Sequence, residues 1–366
     1  MNIDSLLQSK TPPKELPIDA IFSLTEKLPL QKIYLHNIHV MVESPAEGFA
    51  VEAQNGGLLL TNMGKNITAR ADIPDLQFQM KDLGHFAGSL DSHLYLTRQS
   101  LRILQLGVHL DQSEFIVHGE LTPFKDLSIK PAGVLSLSAK ISLHDIFNEI
   151  LKVRPSLKLP EFSGELSTDA EAHFNGFDDF KGKADITTQA VTMGKFELGD
   201  AHVLGEFKNR LISLSEVSIK HPAGSATLTK SQIELARDFD FKAHLHLEEL
   251  DLQKLFQALD LDNIPAGAIA HGEIPCSGKI RPSFVLNCEG ATLSAKDIWV
   301  KSENNSKGHA LLNLQNFSGK GRMQLTPQLL SYSADLALGD STGSSDGVID
   351  LEKGFKINYK AKNLNF

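Results

Sequence analysis

A serine in a glycine-flanked pentapeptide is the residue of this sequence that most resembles a catalytic group. The stretch Gly339 to Gly343 matches G-x-S-x-G, which in α/β-hydrolases places a nucleophilic serine on a sharp turn between a strand and a helix. A strand-like run precedes Ser341, but the residues from Ser344 to Gly347 are typical of a loop. Because the nucleophile elbow requires a helix at that point, we expect no catalytic role for Ser341.

Two alternating histidines raise the question of a metal site. His244 and His246 are separated by one residue, so in a strand both rings face the same way, and a third ligand would complete a zinc site. They alternate with phenylalanine and leucine, which places them on the solvated face of the strand. We therefore expect solvated histidines and no metal ion. The sequence also lacks an H-E-x-x-H motif, a P-loop, a dinucleotide-binding fingerprint and clustered cysteines.

Adjacent carboxylates are the remaining candidates for acid–base chemistry. Asp178-Asp179 and Glu248-Glu249 are two such pairs. Neighbouring residues of a strand point to opposite faces, so neither pair converges on one site. The sequence therefore predicts no enzyme, no catalytic residue and no cofactor.

The two cysteines, Cys276 and Cys288, flank a turn centred near Pro282. A hairpin there places them roughly opposite each other, where a disulfide is strained but possible. We favour the alternative, in which both are small buried apolar side chains. Two cysteines do not identify a redox compartment.

Composition and charge exclude several classes of protein. The chain has 366 residues, of which 41% are hydrophobic and 22% charged, so a folded protein is expected. A net charge of −9 disfavours nucleic acid and adhesion to an anionic membrane through charge alone. No apolar run approaches the roughly 20 residues that span a bilayer, and the N-terminus does not have the form of a signal peptide. Because the sequence ends within a strand-like run, we expect a fragment whose anchor or export signal is missing.

A short amphipathic helix is repeated along the chain. Asp251 caps the later copy, and Ser142 caps the earlier one, where Asp145 would complete a capping box. The apolar residues of both copies have the spacing i, i+3, i+4, i+7 and begin 109 residues apart. We expect these residues to pack the helices against a sheet: Leu143, Ile146, Phe147 and Ile150 in the first copy, and Leu252, Leu255, Phe256 and Leu259 in the second. A weaker third copy includes Ile18, Ile21 and Phe22.

The rest of the chain is predicted to form about two dozen antiparallel strands of roughly 6 to 11 residues, separated by turns such as Gly56-Gly57. Each strand has one apolar face, and two or three short helices cannot cover so many strands. Either the sheet closes on itself as a sandwich or barrel, or it curls into a groove whose apolar lining contacts a ligand. We expect one elongated repeat-built body over 1–366, with segments 1–141, 142–250 and 251–366.

Several stretches carry a family resemblance. The run from Leu214 to Leu228 resembles the strand–glycine–strand pattern of the AsmA-like superfamily. The helix of Leu252 to Leu259, with the strands from Ile264 to Gly278 and from Phe284 to Val300, is similar to its C-terminal unit. Leu28 to Val40 is similar to another of its recurring strands. The likeness is to the TamB and YhdP-type members and covers most of the chain.

This resemblance implies a fold, a location and a function. The fold would be a long, twisted, U-shaped (taco-like) antiparallel groove with a hydrophobic interior. The protein would be periplasmic and anchored to the inner membrane, although this sequence lacks the N-terminal transmembrane helix and the far C-terminal region of the family. It would conduct phospholipids between the inner and outer membranes. Its partners would be phospholipids and, as for some members of the family, outer-membrane assembly proteins, but not nucleic acid.

The lipid-contacting residues are expected in the two strands that lead into the repeated helices. We expect the groove lining to include Leu137, Ala139, Ile141, Phe239, Phe241, Leu245 and Leu247. The patterning alone permits an alternative, in which the same residues fill the dry core of a structural or adhesive β-sandwich or β-solenoid. A scaffold for outer-membrane protein assembly is a further alternative.

Overall fold

The protein is mainly β. The computed structural model describes residue 22 and residues 31–44, 48–61, 65–80, 84–122, 132–153, 161–176, 179–194, 196–235, 239–258, 265–280, 283–301, 310–338, 341–350 and 354–362. These residues contain 19 strands and two complete helices. The chain divides into two compact units. Unit 1 consists of Met1–Thr188 with Phe207–Asn209, and unit 2 of Gln189–Glu206 with Arg210–Phe366.

The strands of unit 1 form an antiparallel meander in which each pairs with the next along the chain. They are β1 (Lys32–Ser44), β2 (Phe49–Thr61), β3 (Asn66–Met80), β4 (Gly84–Thr97), β5 (Leu101–Leu110), β6 (Ser113–Leu121), β7 (Ala132–Ser142) and β8 (Phe162–Asn175). Helix α1 (Leu143–Val153) connects β7 to β8. Strands β9 (Phe180–Met193) and β10 (Phe196–Lys208) contain residues of both units.

Unit 2 is built in the same way. Its strands are β11 (Leu211–His221), β12 (Gly224–Glu234), β13 (Asp240–Asp251), β14 (Ala266–Lys279), β15 (Val285–Lys301), β16 (Ala310–Leu325), β17 (Leu329–Leu338), β18 (Ser341–Asp350) and β19 (Gly354–Lys362). Helix α2 (Leu252–Ala258) connects β13 to β14. Among the described residues no pairing joins β1 to β8 or β11 to β19, so both meanders are open.

The strands are longer than the sequence pattern predicts, and 19 are present where about two dozen were expected. The predicted turn at Gly56-Gly57 is wrong, because β2 continues through both glycines. Asn37 and Asn55 have positive φ and each inserts one extra residue into the β1–β2 pairing. Such bulges interrupt the apolar alternation without ending the strand, so one long strand reads as two short ones.

Both helices begin where the sequence predicts. The Asp251 carboxylate accepts hydrogen bonds from the amides of Gln253 (3.0 Å) and Lys254 (3.2 Å). The Ser142 hydroxyl accepts one from the Asp145 amide at 3.4 Å. The predicted capping box is not formed, because the Ser142 amide donates instead to the Ser113 hydroxyl (3.1 Å).

The cysteines form a disulfide, contrary to the free thiols favoured above. Cys276 of β14 and Cys288 of β15 are directly paired in register and bonded to each other. Their Cα atoms are 4.1 Å apart, and Cys288 is fully buried. The hairpin therefore does bring them face to face, and the bond fastens two neighbouring strands of unit 2.

Candidate functional site

The register of unit 2 gathers its apolar side chains on one face. Residues directly opposite each other in an antiparallel pair share a face, and Leu245 lies opposite Leu228 of β12 and Ile274 of β14. Following the pairing from β11 to β19 defines what we call the apolar face of unit 2. Its larger members are Ile212, Val217, Ile219, Leu228, Ile233, Phe241, Leu245, Leu247, Ile274, Leu286, Leu293, Met323, Leu325, Leu330, Tyr332, Leu336, Ile349 and Ile357.

The opposite face of the same strands is polar, and we call it the polar face of unit 2. One row of paired residues crosses it from β12 to β19 and contains hydroxyl or charged side chains at every position. These are Thr227, His246, Glu273, Thr292, Lys320, Asp335, Ser344 and Lys360. Along this row the meander therefore separates apolar from polar side chains over eight consecutive strands, although Leu314 and Val348 also lie on the polar face.

Leucine alternates with glycine across the middle of the apolar face. Along one row of paired residues the order is Leu247, Gly272, Leu293, Gly319, Leu336 and Gly343. A Cβ atom placed on Gly272 would lie 2.4 Å from Cδ2 of Leu293, so the leucine lies over the glycine of the next strand. Tyr332 lies over Gly347 in the same way, with Cε1 2.5 Å from such a Cβ. Large side chains therefore lie along the sheet, which gives the apolar face a low relief.

Most of these apolar side chains are only partly removed from solvent. Among the described residues, buried apolar side chains are few, and those of unit 2 are no larger than valine: Val191, Val217, Ala223, Ala268 and Cys288. Leu293, near the centre of the face, is 42% exposed. Because a sheet packed on a second layer buries its facing leucines completely, no such layer covers this face in the described part of unit 2.

Unit 1 also has an apolar face, defined by the same pairing rule. Leu137 of β7 lies opposite Val117 of β6 and Ala170 of β8. Its larger members include Ile33, Leu35, Val40, Val42, Phe49, Val51, Leu58, Leu60, Ile67, Ile73, Leu76, Phe78, Phe86, Leu90, Leu94, Leu96, Ile103, Leu106, Val108, Phe115, Val117, Leu135, Leu137, Ile141 and Leu166. The two units therefore present the same separation of side chains.

Short helical segments cover part of these faces. Phe147 of α1 stacks on Phe162 of β8, with ring centroids 4.2 Å apart. Phe22 is buried against Ile67, so the one described residue of the weak third copy also packs on unit 1. In α2, Leu252, Leu255 and Phe256 are half-buried, whereas Gln253, Lys254 and Gln257 are exposed. Leu143, Ile146 and Ile150 of α1 are likewise half-buried. Ile18, Ile21 and Leu259 lie outside the described residues.

The predicted lining residues of β7 and β13 lie on the apolar faces with two qualifications. Leu137, Ile141, Phe241, Leu245 and Leu247 are half-buried members of these faces. Ala139 shares the face but is only 5% exposed, so little of it is available to a ligand. Phe239 lies just before β13, which begins at Asp240, and has a positive φ of 51°. The alternation of the strand therefore does not extend to Phe239 and does not place its side chain on the apolar face.

The histidines lie on the polar face, as predicted, and engage a carboxylate. His244 Nε2 lies 2.7 Å from one oxygen of Glu273, and His246 Nδ1 lies 2.7 Å from the other. No group of three or more metal-ligating side chains occurs in the described part of the chain. A comparable arrangement in unit 1 places His173 and Lys183 on Glu171. The hydrogen bond from His173, together with the ammonium of Lys183, holds the pKa of Glu171 below its usual range.

The remaining chemical candidates do not converge. Ser341 is the first residue of β18, and the residues from Ser344 to Gly347, expected as a loop, continue that strand. No helix follows Ser341, so the geometry of a nucleophile elbow is not formed. Glu249 occupies a bulge with a φ of 49°, and its carboxylate lies 3.9 Å from the Lys296 ammonium. Asp178 lies outside the described residues.

One feature of unit 2 was not predicted, a depression on the polar face. Its volume is about 950 Å³, and its walls are two parallel rows of side chains, polar except for Ala337, that cross β14 to β19, with His246 of β13 at one end. Residues of the leucine–glycine row lie between the two rows and also line the depression. A sequence signal existed, since lysine, serine and threonine recur at every second residue of these strands, but the register that aligns them into rows depends on bulges.

No helix among the described residues is long and apolar enough to cross a bilayer. No family model, curated protein or solved structure matches this chain.

Proposed function

We propose that this protein binds the acyl chains of phospholipids on its apolar faces and conducts lipid between two membranes. The observation that carries the proposal is the apolar face of unit 2, which continues over nine strands and stays partly exposed. Monomeric soluble proteins rarely leave such extended apolar surfaces without a ligand or partner. A row of acyl chains is a ligand of the matching chemistry and dimensions.

The low relief of the apolar face supports movement as well as binding. Each CH₂ group removed from water contributes about 0.8 kcal/mol, whichever part of the face it contacts. Leucine side chains that lie over glycines leave no deep pocket to hold one lipid in place. Acyl chains would therefore be retained on the face while moving along it, with their head groups in solvent at its margin. In this proposal the sheet curls around the chains as a U-shaped groove.

The proposal includes the location that the AsmA-like resemblance implies, a periplasmic protein anchored at the inner membrane. The disulfide between Cys276 and Cys288 supports it, because disulfides persist in oxidising compartments such as the periplasm and are rare in the cytosol. The separation of polar from apolar faces supports the bridging role, since only one face would contact lipid.

Two adjacent residues of β12 provide a matched test. Leu228 is on the apolar face and Thr229 on the polar face, so Leu228→Asp and Thr229→Asp add the same charge to opposite sides of one strand. Native mass spectrometry should find co-purified phospholipid on the wild-type chain and on Thr229→Asp. Leu228→Asp, and likewise Leu245→Asp, should lose most of it, because a carboxylate among acyl chains is costly to bury.

Transfer is tested with the same variants. Fluorescent phospholipid should move from donor to acceptor vesicles faster with the wild type and Thr229→Asp than with Leu228→Asp, each variant being folded by circular dichroism. A wild-type chain free of lipid under gentle conditions, with no uptake of fluorescent phospholipid, would contradict the proposal and favour a structural role. Equal lipid loss in Leu228→Asp and Thr229→Asp would contradict the assignment of the apolar face.

A further inference from the structure

The depression on the polar face of unit 2 has the form of a trough. Its two walls are rows of residues spaced two apart along each strand, which places them about 7 Å from each other. Its two walls cross six strands, β14 to β19, with His246 of β13 at one end, and five intervals between the six strands give a length of about 24 Å. A trough of these dimensions accommodates one extended polymer chain lying across the strands.

The trough is basic although the chain is acidic. Lys320, Lys360 and Lys362 line it, and no carboxylate of the described residues lies within ion-pairing distance of their ammonium groups. Of its two carboxylates, Glu273 is held by His244 and His246 at 2.7 Å each. Asp335 is the other and lies opposite Lys320 in the register, so three lysines against two carboxylates leave a formal excess of one positive charge. The local excess of positive charge contrasts with the chain's net charge of −9.

The spacing of the lysines favours an extended anion over a single phosphate. Lys320 of β16 and Lys360 of β19 lie in one row, three strand intervals or about 14 Å apart, with Asp335 of β17 and Ser344 of β18 between them. One small anion cannot contact both ammonium groups at that separation. A linear ligand with repeated negative charges can do so.

The other lining residues indicate the kind of polymer. Hydroxyl groups line both walls, among them those of Thr292, Ser294 and Ser318, and they suit a ligand rich in hydroxyl groups. Among the described residues no phenylalanine, tyrosine or tryptophan lines the trough, so it lacks the large rings on which the bases of single-stranded nucleic acid stack. Its concave form also does not fit the plane of a bilayer surface.

We infer that this trough binds an acidic polysaccharide. The polymer's carboxylates would contact the lysine ammonium groups, and its hydroxyl groups would exchange hydrogen bonds with the serine and threonine side chains. The site lies on the opposite face of the sheet from the proposed lipid surface, so the two activities are independent.

The test uses polygalacturonate as the acidic polymer and dextran as the neutral one. The trough variant K320A/K360A/K362A is compared with K140A/K183A/K254A, which removes three lysines outside the trough that pair with Glu165, Glu171 and Asp251. Both variants lower the net charge by three. Binding is measured by isothermal titration calorimetry at two salt concentrations, and lipid content by native mass spectrometry.

The wild type should bind polygalacturonate but not dextran, and more weakly at higher salt. The affinity of the trough variant for polygalacturonate should fall by about tenfold or more. The control variant should bind within about twofold of wild type, and both variants should keep their lipid. Equal loss in the two variants, or no binding by the wild type, would overturn the inference. Preference for a single-stranded oligonucleotide or for phosphatidylglycerol vesicles over polygalacturonate would overturn it too.

Discussion

Helices α1 and α2 arise from the same sequence pattern but engage their units to different extents. In α1, Phe147 stacks on Phe162, and the carbonyl oxygen of Glu149 would lie 3.0 Å from a Cβ on Gly84 of β4. In the described part of the chain, helix α2 packs mainly on its neighbouring strands β13 and β14 and has no buried residue. No ring of the described residues stacks on Phe256.

The difference originates in the strands rather than in the helices. Strand β8 begins with Phe162, which supplies a ring to the helix, whereas β14 begins with Ala266 and Gly267. The units differ accordingly. Buried apolar side chains larger than valine occur, among the described residues, only in unit 1: Phe22, Ile67, Leu76 and Phe86. Unit 1 is therefore stabilised by larger buried side chains than unit 2, although both apolar faces keep exposed members, such as Val42 in unit 1 and Leu293 in unit 2.

Removal of the disulfide should show the largest difference between the units. The double variant Cys276→Ser, Cys288→Ser should destabilise unit 2 by about 3 kcal/mol. The disulfide closes a loop and so lowers the conformational entropy of the unfolded chain, and the variant also places a polar serine at the fully buried position of Cys288. The chain's single tryptophan, Trp299, lies on β15 with Cys288, so urea denaturation followed by its fluorescence reports on unit 2.

Unit 1 provides the control for this prediction. Its amide hydrogen exchange, followed by mass spectrometry of peptides from β3 and β4, should not change in the double variant. An equal increase of exchange in both units would show that they unfold together and that the comparison between them does not hold.

Phe147→Ala should have the next largest effect. Loss of the stacked ring should cost about 2 kcal/mol, less than for a fully buried phenylalanine because Phe147 is half-buried. Phe256→Ala should cost about 1 kcal/mol or less, since its ring has no stacked partner. Hydrogen exchange of peptides containing each helix and the following strand measures both. A larger effect for Phe256→Ala would mean that α2, not α1, is the better packed helix.

The sequence predicts local structure here better than it predicts contacts between strands. Helix starts at Asp251 and Ser142 follow from capping chemistry within four residues, and the structure has both. The alternation in β13 correctly assigns His244 and Leu245 to opposite faces. These signals require no knowledge of the partner strand.

Features that depend on register could not be predicted. The bulges at Asn37 and Asn55 use residues that tolerate positive φ, but nothing local distinguishes a bulge from a turn. The disulfide requires Cys276 and Cys288 to be directly opposite, which the register shift after Glu273 determines. The leucine–glycine row and the polar trough arise across six strands and are invisible in any one of them.

The smallest effect is expected from the helix caps. Asp251 accepts two amide hydrogen bonds at 3.0 and 3.2 Å, whereas the Ser142 hydroxyl accepts one at 3.4 Å. Asp251→Ala should therefore destabilise the α2 region by about 1 kcal/mol, and Ser142→Ala the α1 region by about half as much. Asp251→Asn keeps the acceptor and should stay within a few tenths of a kcal/mol of wild type. Hydrogen exchange of the first turn of each helix is the measurement. If Ser142→Ala were the more damaging change, the longer α1 would depend on its cap despite its packing on Phe162, and tertiary contacts would not explain the difference between the two helices.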